Sequence, residues 1–162
     1  MQIKSKVPVK EFFKHREPDF IVLNRKEREY MTAGIYTCTK ISDEIDFNIE
    51  NNNPLEFSYS DLAEHKAGKE ILEQREITKA VGLWTMAEIQ SLMEVQMELN
   101  DERVPQGFLQ TDGHWNVFFV KSLRNEICMF FCIWSCKKYT WGVGTERIGD
   151  LLSKGSRVFL KK

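Results

Sequence analysis

Three of the four cysteines in this 162-residue chain sit at positions 128, 132 and 136, inside the run CMFFCIWSC. Thiols at that repeat could hold a zinc ion, close a disulfide or act as a redox pair, and the backbone conformation decides among these. A spacing of four puts the side chains on one side of a helix or of a strand alike. In a helix, neighbouring Cα atoms lie about 6 Å apart, near enough for two thiolates to share an ion. In a strand at ~3.3 Å per residue they lie about 13 Å apart, beyond one ion and beyond the ~7 Å limit of a disulfide. Residues 126–136 include Ile127, Phe130, Phe131, Ile133 and Trp134, lack alanine and leucine, and lie between turn signals, which predicts a strand. The thiols then alternate with Phe130 and Trp134 on one face, while Met129, Phe131 and Ile133 take the other. A strand apolar on both faces is central and covered twice, so its cysteines are buried filler. No C-x2-C pair accompanies them, Cys38 and His114 lie far off in sequence, and no metal site is assigned.

Other reactive patterns are missing. Gly142-Val143-Gly144 lacks the third glycine and following helix of a dinucleotide fingerprint, Gly68-Lys69 has no Walker spacing before it, and H-E-x-x-H is absent. His15, His65 and His114 fall in different elements. No catalytic residue and no cofactor follows; an enzyme would need a site assembled by tertiary contacts, such as a pocket holding His114 or Cys38 beside a carboxylate.

Two constellations suit binding. Trp115, Phe119, Phe130, Trp134, Tyr139 and Trp141 fall on neighbouring expected strands, with Lys121, Arg124, Lys137, Lys138, Arg147, Lys154 and Arg157 along their ends and turns. Such a sheet can stack single-stranded bases while neutralising phosphates, and Lys121, Arg124, Lys137, Lys138, Tyr139, Trp141 and Arg147 are the candidate contacts. The same aromatics equally suit a core beneath helices, with lysines keeping the edges soluble. The other constellation is the helix expected at 86–100, whose apolar residues spread over an arc of roughly 200°, wider than one packing surface requires. Met93, Val95, Met97 and Leu99 are its candidate partner contacts, against the alternative that they are plain core.

The elements that must position these residues follow from punctuation and period. Residues 1–19, with Pro8 and Pro18, read as an irregular arm. Asn24 caps a short helix at 25–33 that Gly34 ends, and 35–41 reads as a strand before a loop rich in asparagine. Ser60 begins a helix from 61 to about 77 with little apolar periodicity, expected to be largely exposed. Thr85-Met86-Ala87-Glu88 is a capping box. After Pro105 the period becomes two: Asp112-Gly113 predicts a two-residue hairpin, 122–125 a second turn, Lys137-Lys138 another, 139–147 a strand, 149–155 a loop or single helical turn, and 156–161 the last strand. The expected fold is α+β: one domain with an arm (1–19), a mainly helical part with one or two strands (20–105), and helices packed on a C-terminal antiparallel sheet of four or five strands (106–162).

The order from Trp115 to Phe159 is a hairpin, a tryptophan strand, a second tryptophan strand ending near W-G-V, and a closing Gly155, Arg157, Val158 and Phe159. It resembles the C-terminal ends of uncharacterised small proteins of reduced-genome bacteria and their mobile elements. The resemblance covers about a quarter of the chain and implies no activity.

Composition, at 42% hydrophobic, 12% aromatic and 29% charged, is that of a water-soluble globule, and a chain this long buries about 68–70% of its unfolded surface. The net charge of −1 conceals blocks of +4 over residues 1–42, −10 over 43–105 and +5 over 106–162. Such blocks are solvated faces, or a basic surface for a polyanion or an acidic protein. The longest apolar run, 127–134, is too short to span a bilayer and the N-terminus lacks the apolar core of a secretory signal, so a cytoplasmic location without membrane contact is expected. The leading functional expectation is a non-enzymatic protein engaging a protein partner or a second copy of itself. Binding of single-stranded nucleic acid comes next, then a small enzyme.

Overall fold

The computed structural model of the chain describes residues 36–37, 56–98, 107–122, 125–135 and 140–161. In chain order its elements are β1 (Tyr36–Thr37), β2 (Phe57–Asp61), β3 (Lys66–Ala67), α1 (Gly68–Gln74), α2 (Met86–Glu98), β4 (Asn116–Lys121), β5 (Ile127–Ser135), β6 (Thr140–Arg147), β7 (Leu151–Leu152) and β8 (Arg157–Lys161). Six strands form one mostly antiparallel sheet in the order β1-β6-β5-β4-β8-β2, and β3 pairs with β7 in a small second sheet. The class is α+β. Helix 25–33 and the arm lie outside the described residues, as do Leu99 and Asn100 at the end of the expected 86–100 helix.

The cysteine-bearing run is extended, as its composition requires. β5 has neighbours on both sides, with Cys128 opposite Val120 and Arg147, and Cys132 opposite Asn116 and Val143. Its two faces feed two cores. Phe130, Cys132 and Trp134 share one buried cluster with Phe118, Val143 and Phe159 of the sheet, and with Trp84, Met86, Ile89, Leu92 and Met93; Cys128 packs against it. Met129 and Phe131 join Val117, Phe119 and Val158 in the other, together with Ile71, Leu72 and Leu152. Burial pushes the Cys132 thiol far above the ordinary range, with the Asn116 amide pulling weakly the other way, so it is a neutral apolar side chain. Cys136 lies outside the described residues.

The capping box forms: Thr85 N–H donates to Glu88 Oε1 at 2.8 Å and Glu88 N–H to Thr85 Oγ1 at 3.2 Å. Where the second turn is expected, Asn125 N–H donates to the Ser122 carbonyl and Ser122 N–H to the Glu126 carbonyl, while 123 and 124 lie outside the described residues.

Three expectations are corrected. The helix expected at 61–77 is α1 alone; FSYSD before it alternates like a strand and pairs along β8, and Leu62 is bonded to Ser156 and Gly155. The stretch is largely exposed, as expected, including Lys69, Glu70, Glu73 and Gln74 of α1. Its buried residues are Gly68, Ile71 and Leu72, and a Cβ on Gly68 would collide with Met129 Sδ. The C-terminal sheet is not a simple meander, because β8 runs parallel to β4 at Asn116↔Arg157 and Val117↔Val158. That insertion removes the hairpin expected at Asp112-Gly113. β4 already has β5 and β8 as neighbours, so residues 107–111 cannot join it and the two turn residues make a bend.

Candidate functional site

β2 is the outermost strand at one end of the sheet as described. Leu62 directs its backbone groups toward β8, its N–H donating to the Ser156 carbonyl and its carbonyl accepting from Gly155 N–H, both at 2.9 Å. Backbone direction alternates along an antiparallel strand, so Ser58 and Ser60 also face β8 while Phe57, Tyr59 and Asp61 turn their N–H and C=O groups to the open side.

Along this rim two large rings are exposed. Tyr59 is 45% accessible and Phe108 50%. Their centroids lie 6.3 Å apart, and Phe57 meets Phe108 edge-on at 5.2 Å. Arg157 ties the group together: its guanidinium lies 4.2 Å from the Tyr59 ring centre, its Nε and Nη2 donate to Asp61 Oδ1 and Oδ2 at 2.7 and 3.0 Å, and its Nη1 donates to the Phe108 carbonyl at 2.7 Å. The hydrogen bonds to Asp61, outweighing partial desolvation, hold Arg157 above the ordinary arginine value. The pair is charged yet self-neutralised.

Phe108 sits on a strap held by two side-chain amides acting as substitute strands. Gln96 Oε1 accepts from Leu109 N–H at 2.8 Å while its Nε2 donates to the Leu109 carbonyl at 2.9 Å. Asn116 Oδ1 accepts from Gln110 N–H at 2.7 Å and its Nδ2 donates to the Gln110 carbonyl at 3.0 Å. Gln110 Nε2 in turn reaches the carbonyls of Trp115 and Gly155.

The histidines are accounted for locally. His65 Nδ1 accepts from Lys154 N–H at 3.1 Å. His114 Nδ1 lies 3.0 Å from Asp112 Oδ2, and both side chains are about half exposed (49% and 59%), so the pair faces solvent on a turn. Burial works to raise the Asp112 carboxyl, but its hydrogen bonds with His114 prevail and hold it below the usual aspartate range. His15 lies outside the described residues. Among the described residues, no group of three or more His, Cys, Asp or Glu side chains is placed to hold a metal ion, and no helix is long and apolar enough to cross a membrane.

The aromatic-basic constellation does not assemble on one surface. Trp141 is fully buried, 5.1 Å from Trp134 in a T-shaped pair, and Phe119 and Phe130 are buried too, so these rings offer no face to a base. Trp115 is partly buried with its ring stacked at 3.9 Å on Phe131. Lys121 stands opposite Ile127 on the face of Phe119, whereas Arg147 stands opposite Cys128 on the face of Val143. The two cations are thus on opposite faces of the sheet. Arg124, Lys137, Lys138 and Tyr139 lie outside the described residues. Of the helix contacts, Met93 is fully buried and closed to a partner; the side chains of Val95 and Met97, and Leu99 altogether, lie outside what is described. Sequence reasoning missed Tyr59, Phe108, Gln96 and Asn116. The one usable signal was Gln96, an amide three residues past Met93 on the apolar arc of the helix.

No protein-family model, no curated protein and no solved structure matches the chain.

Proposed function

We propose that residues 1–162 form one α+β domain with α2 packed on the sheet, acting in the cytoplasm as a non-enzymatic binding protein that engages a protein partner through the open rim of β2. The observation that carries this reading is the exposed Tyr59–Phe108 pair beside Arg157. Tyrosine, phenylalanine and arginine are the residue types enriched at interface centres, and here they stand on a strand edge and a clamped strap. Because Asp61 already matches Arg157, the cation beside these rings is compensated, which favours a polypeptide over a polyanion, whose binding needs uncompensated cations. A photo-crosslinking benzoylphenylalanine placed at Phe108 in cells producing the protein should yield a discrete polypeptide adduct. The same group at Val81, 65% exposed, should not. Equal yields at the two positions would remove the rim as a binding surface.

A further inference from the structure

Building on the rim reading above, we propose that the partner is a second copy of this chain, joined by antiparallel pairing of β2 with β2 about a two-fold axis at Tyr59. The open edge has a fixed register. With Tyr59 of one protomer opposite Tyr59 of the partner subunit, Phe57 falls opposite Asp61 of the partner subunit, and these are the three residues whose backbone groups point outward. Each strand meets the other donor to acceptor, as an isologous contact requires.

The side chains agree with that register. Ser58-Tyr59-Ser60 reads the same in both directions, so Ser58 meets Ser60 of the partner subunit and the serine face carries no bulk. On the aromatic face the only charge on the strand is Asp61, already held in two hydrogen bonds by Arg157. Like charges therefore do not oppose each other across the axis, where they would be destabilising. Tyr59 and Phe108 from both protomers form one four-ring patch.

Edge strands that must stay single are guarded by lysine, proline, a bulge or a covering element. Phe57–Asp61 holds no lysine, proline or glycine, and its pairing with β8 is unbroken from Phe57 to Asp61. A foreign strand would be selected by charge or by pockets for alternate side chains, and the one charge on this strand, Asp61, is already matched by Arg157. Another copy needs neither.

The contact is small. A fully buried aromatic covers about 150–250 Å², and Tyr59 and Phe108 are about half covered already. Four such rings and a five-residue strand pair fall below the roughly 1,000 Å² expected of a permanent interface, so association is reversible, with a Kd in the micromolar range or weaker.

The test is light scattering on the purified full chain across roughly a hundredfold range of concentration, with amide exchange at both ends. Wild type should rise from the mass of one chain toward two, and the amides of Tyr59 and Asp61 should gain protection at high concentration only. Tyr59→Pro removes an outward N–H without touching a bond to β8, and Tyr59→Lys sets like charges at the axis; both should stay monomeric with an unchanged circular dichroism spectrum. If Tyr59→Pro does not fold, Tyr59→Lys decides. A wild type that stays monomeric throughout, or a folded Tyr59→Lys that dimerises as wild type does, overturns the proposal. Monomeric behaviour together with a specific Phe108 crosslink to another polypeptide ends self-pairing and leaves the rim reading standing, whereas monomeric behaviour with no specific crosslink ends both.

Discussion

Replacing Gln96 should detach the Phe108 strap, and its size follows from two hydrogen bonds. The side chain is 4% exposed and spans both backbone groups of Leu109, itself 1% exposed. Gly107 lies so close that a Cβ there would stand 2.7 Å from Gln96 Cδ, so little room is left for water. Gln96→Leu keeps the approximate volume but strands a buried N–H and a buried C=O. Each such group costs about 1–3 kcal/mol, or about 2–6 kcal/mol together. The chain avoids that cost by letting residues 107–111 open locally, so exchange of the Leu109 amide should accelerate at least about thirtyfold, while that of Phe131 in β5 should change little. Gln96→Glu separates hydrogen bonding from packing. A protonated carboxyl can accept from Leu109 N–H and donate to its carbonyl, but an ionised one sets a second oxygen against that carbonyl and buries a charge. The folded-state pKa of the new carboxyl is therefore raised, and the clamp is present below the unfolded value and lost as pH rises through the folded one. Relative to wild type, Gln96→Glu should be destabilised at pH 7 and recover near pH 4. An unchanged Leu109 exchange rate in Gln96→Leu, or a Gln96→Glu protein as stable as wild type at pH 7, would refute the substitute-strand account.

Three further outcomes test separate parts of the fold. Gly113 and Gly155 share nearly the same φ, +90° and +92°, but a Cβ on Gly113 meets nothing within 4 Å while one on Gly155 stands 2.6 Å from His114 Cδ2. Chemical denaturation should show Gly113→Ala losing about 1–2 kcal/mol and Gly155→Ala more, the excess disappearing in a His114→Ala background; equal losses would mean that the His114 ring simply moves aside. Site-resolved alkylation at pH 8 should leave Cys132 unmodified in the folded chain and modify it in urea, and labelling at the rate of a free thiol would contradict its burial. The Glu146 carboxyl is raised above the usual glutamate range, first by burial and then by its hydrogen bond and like charge with Asp150. Its contribution to stability is full below the unfolded glutamate pKa and is lost as pH rises through the folded one, so Glu146→Gln should melt above wild type at pH 7 and lose that margin in acid.

What could be read from the sequence was what short-range chemistry encodes. The Thr85–Glu88 box, the hydrogen bond from Asn125 N–H to the Ser122 carbonyl and the extended run of β5 each depend on residues within about ten positions, and all three form. Failures came where an element's fate depends on a distant neighbour. FSYSD becomes a strand because β8, 96 residues away at the Asp61–Arg157 pair, supplies the ladder. The helix expected at 61–77 shrinks to the seven residues of α1, too short for periodicity to mark its ends. Asp112-Gly113 carries a strong hairpin signal that is overruled because β8 takes the place beside β4 that a hairpin partner would need. The rim was hidden for the same reason: nothing local distinguishes Tyr59 and Phe108 from the buried aromatics around them.

Why the surface sits on an edge follows from how the sheet is used. A strand has two faces and two sides, and β5 has all four occupied: cores on both faces, β4 and β6 on its sides. The tryptophans show how completely that interior is closed: Trp141 is fully buried and Trp134 nearly so, packed against each other in a T-shaped pair. A sheet covered on both faces cannot present its aromatics to a ligand without giving up part of its core. Recognition then falls to its margins, where backbone groups remain unpaired and side chains can be exposed without opening a cavity. On β2 those conditions coincide: outward N–H and C=O groups on Phe57, Tyr59 and Asp61, two half-exposed rings, and an arginine whose charge is already matched. A binding surface there draws little on the stability of the cores, so substitutions at Tyr59 should alter association while leaving the fold intact, the reverse of what substitutions at Trp141 should do.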